Sequence, residues 1–182
     1  MEKENQQKCM TLKVWIDGKT YRRFAGFDTI LRNRKWVRPA IFAAAFCLFA
    51  VVCFSMLGKA PQAGLLGGVL LAVGLGLPLV YFGSFFQSVE NRIKQMKLKG
   101  QKRWAYTLTF TDAPEGIKAE TPGGQASVYA WKKAAVYFRK RAIYLYVADT
   151  KAYILPNDAM EGQRAELETL MNQKMEPERL HR

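Results

Sequence analysis

The sequence predicts a membrane α+β protein: a two-helix transmembrane hairpin with a small antiparallel β domain at the cytoplasmic face, capped by a C-terminal helix. Three observations predict it. Two long stretches carry no charge, basic residues flank them on one side, and the second half of the chain alternates apolar and polar residues in short runs.

The uncharged stretches come first. Pro39–Gly58 and Ala60–Val89 hold no Asp, Glu, Lys, Arg or His, and only Lys59 separates them. A helix needs about 20 mostly apolar residues to cross a hydrocarbon core roughly 30 Å thick. The spans are expected at about 40–57 and 63–86, within a hairpin covering 39–89. A secretory signal has a shorter apolar core close to the N-terminus, whereas this one begins near residue 40. A buried soluble hairpin would need far more surrounding protein to cover it.

Orientation follows from the flanks. Residues 1–38 carry ten Lys/Arg against four Asp/Glu, and residues 90–103 carry six against Glu90 alone. Basic residues beside a span stay in the cytoplasm, so both termini are expected inside, at a multi-pass cell membrane. Topology and attraction to anionic lipid headgroups also account for most of the net charge of +13, which excludes nucleic acid as the expected partner.

Before the first span, residues 1–10 read as a polar, disordered leader. Leu12, Val14 and Ile16 then alternate with polar neighbours, a short strand ended by Asp17-Gly18. Tyr21, Phe24, Phe27 and Leu31 follow at helical spacing among basic residues. Within 11–38, that stripe reads either as an interfacial helix on the inner leaflet or as a face packed on the protein's own domain. In the spans, Gly64 with Gly68, Ala40 with Ala44, and Ala43 with Cys47 form small-xxx-small pairs. These let helices approach closely in lipid, first of all the two spans of the hairpin. A homodimer through one face is the alternative use. Pro78 is expected to kink the second span. A basic helical extension covers 90–101, with Gly100 as its stop.

From residue 102 to 175 the pattern becomes β. Trp104, Tyr106, Leu108 and Phe110 alternate with Ala and Thr. Further strands are expected around Ile117–Ala119, Gln125–Trp131, Ala135–Arg139, Ile143–Val147 and Lys151–Leu155, with Pro122-Gly123-Gly124 as a hairpin turn. A helix over about Gly162–Lys174 presents Leu167, Leu170 and Met171, and residues 176–182 read as a tail. Six antiparallel strands closed by one helix are the plan of a pleckstrin-homology-like domain. The 11–16 strand is expected to join that sheet, because a lone strand is unstable in water.

The layout of strand, amphipathic helix, two spans and β domain resembles the YcxB-like bacterial membrane proteins. The resemblance is carried by Trp131-Lys132-Lys133, Ala142-Ile143-Tyr144-Leu145-Tyr146 and Ile154-Leu155-Pro156 before a helix. It implies a bacterial inner membrane, a pleckstrin-homology-like C-terminal domain and no assigned activity.

Catalytic sets are not found, so no enzyme, cofactor or metal is expected. The only histidine, His181, lies beside the end of the sequence. Two surfaces are candidates instead. Arg32, Arg34, Lys35, Trp36 and Arg38, with Arg92, Lys94, Lys97, Lys99, Lys102 and Arg103, form a collar for the membrane surface and its anionic headgroups. Trp131, Lys132, Lys133, Arg139, Lys140 and Arg141 form a candidate face for a protein or lipid partner, with core or rim packing as the first reading of Trp131 and a solvated face as the plainer reading of the cations. The expected function is a non-enzymatic, membrane-anchored interaction module. The alternative is a small accessory or immunity-type membrane protein that works through its hairpin.

Overall fold

A computed structural model describes residues 9–58, 60, 62–98 and 104–182. The chain forms two compact units, Met1–Phe24 with Gly100–Arg182 and, between them in sequence, Ala25–Lys99.

The first unit is an α+β domain of two sheets. Strands β1 (Met10–Ile16), β2 (Trp104–Phe110), β3 (Ile117–Glu120) and β4 (Ala126–Tyr129) lie in that order in one antiparallel sheet. β1 pairs with β2 over its full length, from Met10↔Phe110 to Ile16↔Trp104. The expected union of the N-terminal strand with the later sheet is therefore present. Its alternation explains it: Leu12, Val14 and Ile16 are buried and the residues between them are exposed. The second sheet has the order β7-β6-β5-β8, with β5 Ala135–Phe138, β6 Ala142–Ala148, β7 Lys151–Pro156 and β8 Leu180–His181. Leu108, Phe110 and Ile117 from one sheet, and Ile143, Leu145 and Leu155 from the other, are buried below 2% exposure. Helix α4 (Arg164–Lys174) adds Leu167 and Met171 to the buried set, as its spacing predicts.

Two expectations are corrected. Residues 176–182 are not a free tail. After a short 3₁₀ turn, Leu180 and His181 pair in parallel with Val136 and Tyr137, and the His181 ring stacks on Tyr137 at 4.3 Å. Both faces of β6 are covered: Tyr144 and Tyr146 are buried along with Ile143 and Leu145. Phe24 covers them, 5.2 Å from Tyr144 and 6.1 Å from Tyr146 between ring centroids. Phe24, on helix α1 (Gly18–Gly26), thus packs on the domain. The stripe does not continue as one helix, because Phe27–Arg32 is wound as a π-helix. That winding changes the angle per residue and leaves Leu31 61% exposed.

The second unit is a hairpin of α2 (Val37–Ser55) and α3 (Ala63–Leu98). Both are long and apolar enough to cross a membrane, with mean hydropathy 2.2. Only 6% and 11% of their most apolar windows are buried within the chain, unlike a soluble core helix. The expected second span and basic extension are one continuous helix through Leu98, running past Pro78; Gly100 lies outside the described residues. The helices touch through glycines, but of the expected pair only Gly64 takes part. A Cβ on Gly74 would stand 2.6 Å from the Phe46 Cβ, one on Gly67 3.0 Å from the Phe54 ring, and one on Gly64 2.8 Å from Leu57. Gly68 faces open space. The contacts descend one helix as they ascend the other, so each glycine admits a large side chain of α2, or of the turn just after it, at its own level.

Candidate functional site

The basic residues that flank the helical hairpin do not behave as one set. Arg32 is engaged: its Nη1 lies 3.3 Å from Asp28 Oδ1, and the Asn33 amide donates to Asp28 Oδ2 at 3.0 Å. The backbone N–H of Asn33 donates to the Asp28 carbonyl and that of Lys35 to the Thr29 carbonyl, which closes the π-helical turn. Arg34, directly after it, adopts φ +46°. This is the left-handed region, which costs a non-glycine residue roughly 1–3 kcal/mol and persists only where the surroundings hold it.

That turn delivers Arg34 and Lys35, with Arg38 from the first turn of α2, to one cleft of about 780 Å³. The rest of its lining is largely apolar: Phe42 from α2, Leu77 and Tyr81 from α3. Pro78 lies between the last two, so this stretch of α3 lacks one backbone donor. Among the described residues, no carboxylate lines the cleft. Trp36, beside it in sequence, is 44% exposed. The cations were legible from sequence. The apolar wall was not, because Leu77 and Tyr81 lie some forty positions further on in an unbroken apolar run.

Of the remaining collar residues, two have described side chains, Arg92 and Lys94. Arg92 lines a separate polar depression with Ser84, Gln87 and Asn91 on α3, and Lys94 is exposed on the same helix. The Lys97 side chain, Lys99, Lys102 and Arg103 lie outside what the structure describes.

In the domain, the expected partner face breaks up. Trp131 is removed from it, being 3% exposed and stacked on Phe110 at 5.9 Å. Its Nε1 donates to the Thr111 carbonyl at 3.1 Å, and its backbone N–H donates to Pro114 O. The indole therefore plugs the β2–β3 loop. Lys132 and Lys133 are exposed on the 3₁₀ turn before β5, and Lys140 and Arg141 are exposed on the turn after it. The strand between them puts the two pairs at opposite ends, roughly 20 Å apart at 3.3 Å per residue.

The turn after β5 is built by residues that sequence reasoning missed. Arg164 of α4 donates from Nη2 to the Arg139 carbonyl at 3.0 Å and from Nη1 to Asn157 Oδ1 at 2.6 Å. Its Nε pairs with Glu168 at 2.7 Å, and the Asn157 amide donates to the Lys140 carbonyl at 3.0 Å. A polar pair in the loop and helix thus fixes a cationic turn.

Tyr106 was missed in the same way. Its place in the alternation foretold burial, not its role. Its hydroxyl donates to the Ile154 carbonyl at 2.6 Å and accepts from the Ile154 N–H at 2.7 Å. One phenol thereby satisfies both backbone groups of a residue on the edge strand β7 and ties the two sheets together. Burial pushes its pKa well above that of a free tyrosine. Tyr153 packs against it at 5.2 Å, and burial raises that pKa too. For Tyr129, 3.3 Å from the Tyr153 hydroxyl, the raising effect of burial is outweighed. Hydrogen bonding from Lys151, Tyr153 and Ser127 lowers its pKa.

Tyr106→Phe strands the Ile154 N–H and C=O, so it is expected to cost about 1–3 kcal/mol of domain stability. The denaturant midpoint of the full chain in detergent measures this, and an unchanged midpoint would contradict the bridging role. Above about pH 10 an unfolded tyrosine ionises while the folded Tyr106 stays neutral. Stability present below that pH should fall as pH rises, and Tyr106→Phe should flatten the fall.

These features define a class of protein: a two-sheet α+β domain interrupted, between its first and second strands, by an apolar helical hairpin. Residues 113–171, about a third of the chain, match the family model described as YcxB-like protein, the family that the sequence resembles. No curated protein and no solved structure matches the chain.

Proposed function

We propose that the chain is a non-enzymatic, membrane-anchored interaction module: the hairpin spans a bacterial inner membrane and holds a pleckstrin-homology-like domain at its cytoplasmic face. The observation that carries this reading is the β1–β2 ladder. Strands that precede and follow the hairpin pair residue for residue, so both ends of a spanning hairpin must emerge on one side. The excess of Lys/Arg in residues 1–38 and 90–103 supports the cytoplasm as that side. Broad exposure of apolar side chains, Leu48 at 68% and Leu65 at 77%, favours lipid as the surrounding medium.

The pleckstrin-homology-like plan is supported by four strands in one sheet, three consecutive strands in the second and a helix after the last of them. On this reading the hairpin is an insertion between the first two strands. The surface offered to a partner is the edge strand β4, where Val128 is 53% exposed, with the cationic turn at Lys140 and Arg141 as a second surface.

The test uses a chain whose natural cysteines, Cys9, Cys47 and Cys53, are replaced by serine. Ala60→Cys, between the helices, is expected to react with a membrane-impermeant thiol reagent in intact cells. Gln125→Cys, in the β3–β4 turn, should react only after lysis. Labelling of Gln125→Cys in intact cells would reverse the orientation. A photo-cross-linking residue at Val128 should give a discrete adduct in native membranes. An absence of adducts there and at Lys140 would remove the interaction role.

A further inference from the structure

We infer that the cleft between the π-helical turn and the hairpin is a binding site for a single anionic phospholipid, with the phosphate on Arg34, Lys35 and Arg38 and an acyl chain along Phe42, Leu77 and Tyr81. This rests on the reading that α2 and α3 stand in a bilayer, and it names the ligand of one site on them.

The argument begins with depth. Tyr81 follows Ala63 by eighteen positions along a continuous helix, so it lies about 27 Å along the axis from the connecting loop at 1.5 Å per residue. That is close to one hydrocarbon thickness. Arg34, Lys35 and Trp36 sit at the start of α2, the matching end of the first helix. The cleft therefore opens at an interface, where aromatic and basic anchors collect. Its basic end lies toward the headgroups and its apolar wall toward the acyl region.

Chemistry selects the occupant. Three cations converge on a cleft with no acidic lining residue among the described residues, and Asp28, the nearest acid in sequence, is held by Arg32 and Asn33. Three uncompensated positive charges call for an anion. Phe42, Leu77 and Tyr81 call for hydrocarbon beside it. A volume near 780 Å³ falls in the range of ligand sites, about 300–1,000 Å³. A free phosphate would leave the apolar wall unfilled, and a neutral lipid would leave the cations unpaired. The left-handed Arg34 supplies a second indication. A π-turn followed by strained backbone places adjacent basic residues where an unbroken α-helix would have spread them around its axis, 100° apart.

Ordinary surface attraction to anionic headgroups predicts no stoichiometry and no dependence on the apolar wall. A seated lipid predicts both, which sets the experiment. The full-length chain is purified in mild detergent and incubated with equimolar phosphatidylglycerol and phosphatidylcholine. Retained lipid is then counted by native mass spectrometry. The expected result is one phosphatidylglycerol per chain, preferred over phosphatidylcholine by on the order of tenfold. Arg34→Gln with Lys35→Gln and Arg38→Gln should abolish the preference. Leu77→Trp fills the apolar wall without touching charge and should also abolish retention.

Equal retention of the two lipids by the unaltered chain would overturn the inference. So would a preference that survives Leu77→Trp, since that would mark generic charge attraction. Should Leu77→Trp fail to fold, the triple Gln chain still decides, because single-lipid retention unaffected by it refutes the site. Carbonate extraction of membranes separates the two levels. A chain released by carbonate disproves bilayer insertion, whereas a chain that stays in the membrane but shows no preference disproves only the lipid site.

Discussion

Gly116→Ala is expected to lower the stability of the β domain by about 3 kcal/mol, at the upper end of what overpacking costs. A methyl group there would overlap the carbonyl oxygens of Thr111 and Ala113 and the Trp131 indole nitrogen. Two of the three are backbone atoms, and the third is fixed by its hydrogen bond to Thr111 O and its stacking on Phe110. Nothing flexible can yield. Thr111 N also donates to Gly116 O at 2.8 Å, closing the same loop, and Lys174 of α4 holds the loop through Asp112 at 3.2 Å. A local clash should therefore be felt across the domain. A fall in melting temperature of more than about 10 °C is expected for the full chain in detergent. Gly123→Ala, with open space at its Cβ position, is the control. Equal melting of the two variants would show that the loop is slack.

Val14→Asp is expected to do more. Val14 is 1% exposed on β1 and stands opposite Tyr106 in the ladder. A carboxylate there has no partner, and burying it costs several kcal/mol even if it is neutralised by protonation. β1 should detach, and Leu12 and Ile16 should lose their places in the core with it. Limited proteolysis should then cut within residues 104–156 while the helical circular dichroism of the hairpin persists. Lys13→Asp, exposed one residue earlier, should leave the digestion pattern unchanged. Protease resistance of Val14→Asp equal to that of the unaltered chain would mean that β1 is dispensable.

How much of this was legible varies with the physics of each segment. β1 and β2 were legible because period-two burial on a half-covered strand leaves a direct mark, and Leu12, Val14 and Ile16 carry it without exception. The two long apolar helices were legible from length and absence of charge. The π-helical Phe27–Arg32 was not, since its apolar residues fit α-helical spacing equally well and the difference lies in backbone hydrogen bonds. The pairing of Leu180 and His181 with β5 was hidden because two residues cannot show a period. Trp131 was ambiguous because a residue just past a strand loses the alternation that would say which way it points. The basic collar was read as one feature because charge is conspicuous in sequence, whereas Asp28, which pairs with Arg32, is conspicuous only in space. The bridging hydroxyl of Tyr106 and the Arg164 staple join residues far apart along the chain, and no local pattern encodes either.

The ladder between β1 and β2 also has a consequence in time. Ile16 and Trp104 are register partners, so the ribosome makes the first strand long before the second. At about 5–20 residues per second, several seconds pass before the partner strand is made. Throughout that interval β1 has no neighbour in the sheet, and the whole hairpin must be synthesised before one can arrive. Closing so long a loop costs only slightly more entropy than closing a short one, because the cost grows with the logarithm of its length. A helical U-turn that brings its own ends back together lowers that cost further. Completion of the sheet is thereby coupled to completion of the hairpin: the domain cannot finish folding until the hairpin has been made and has turned back.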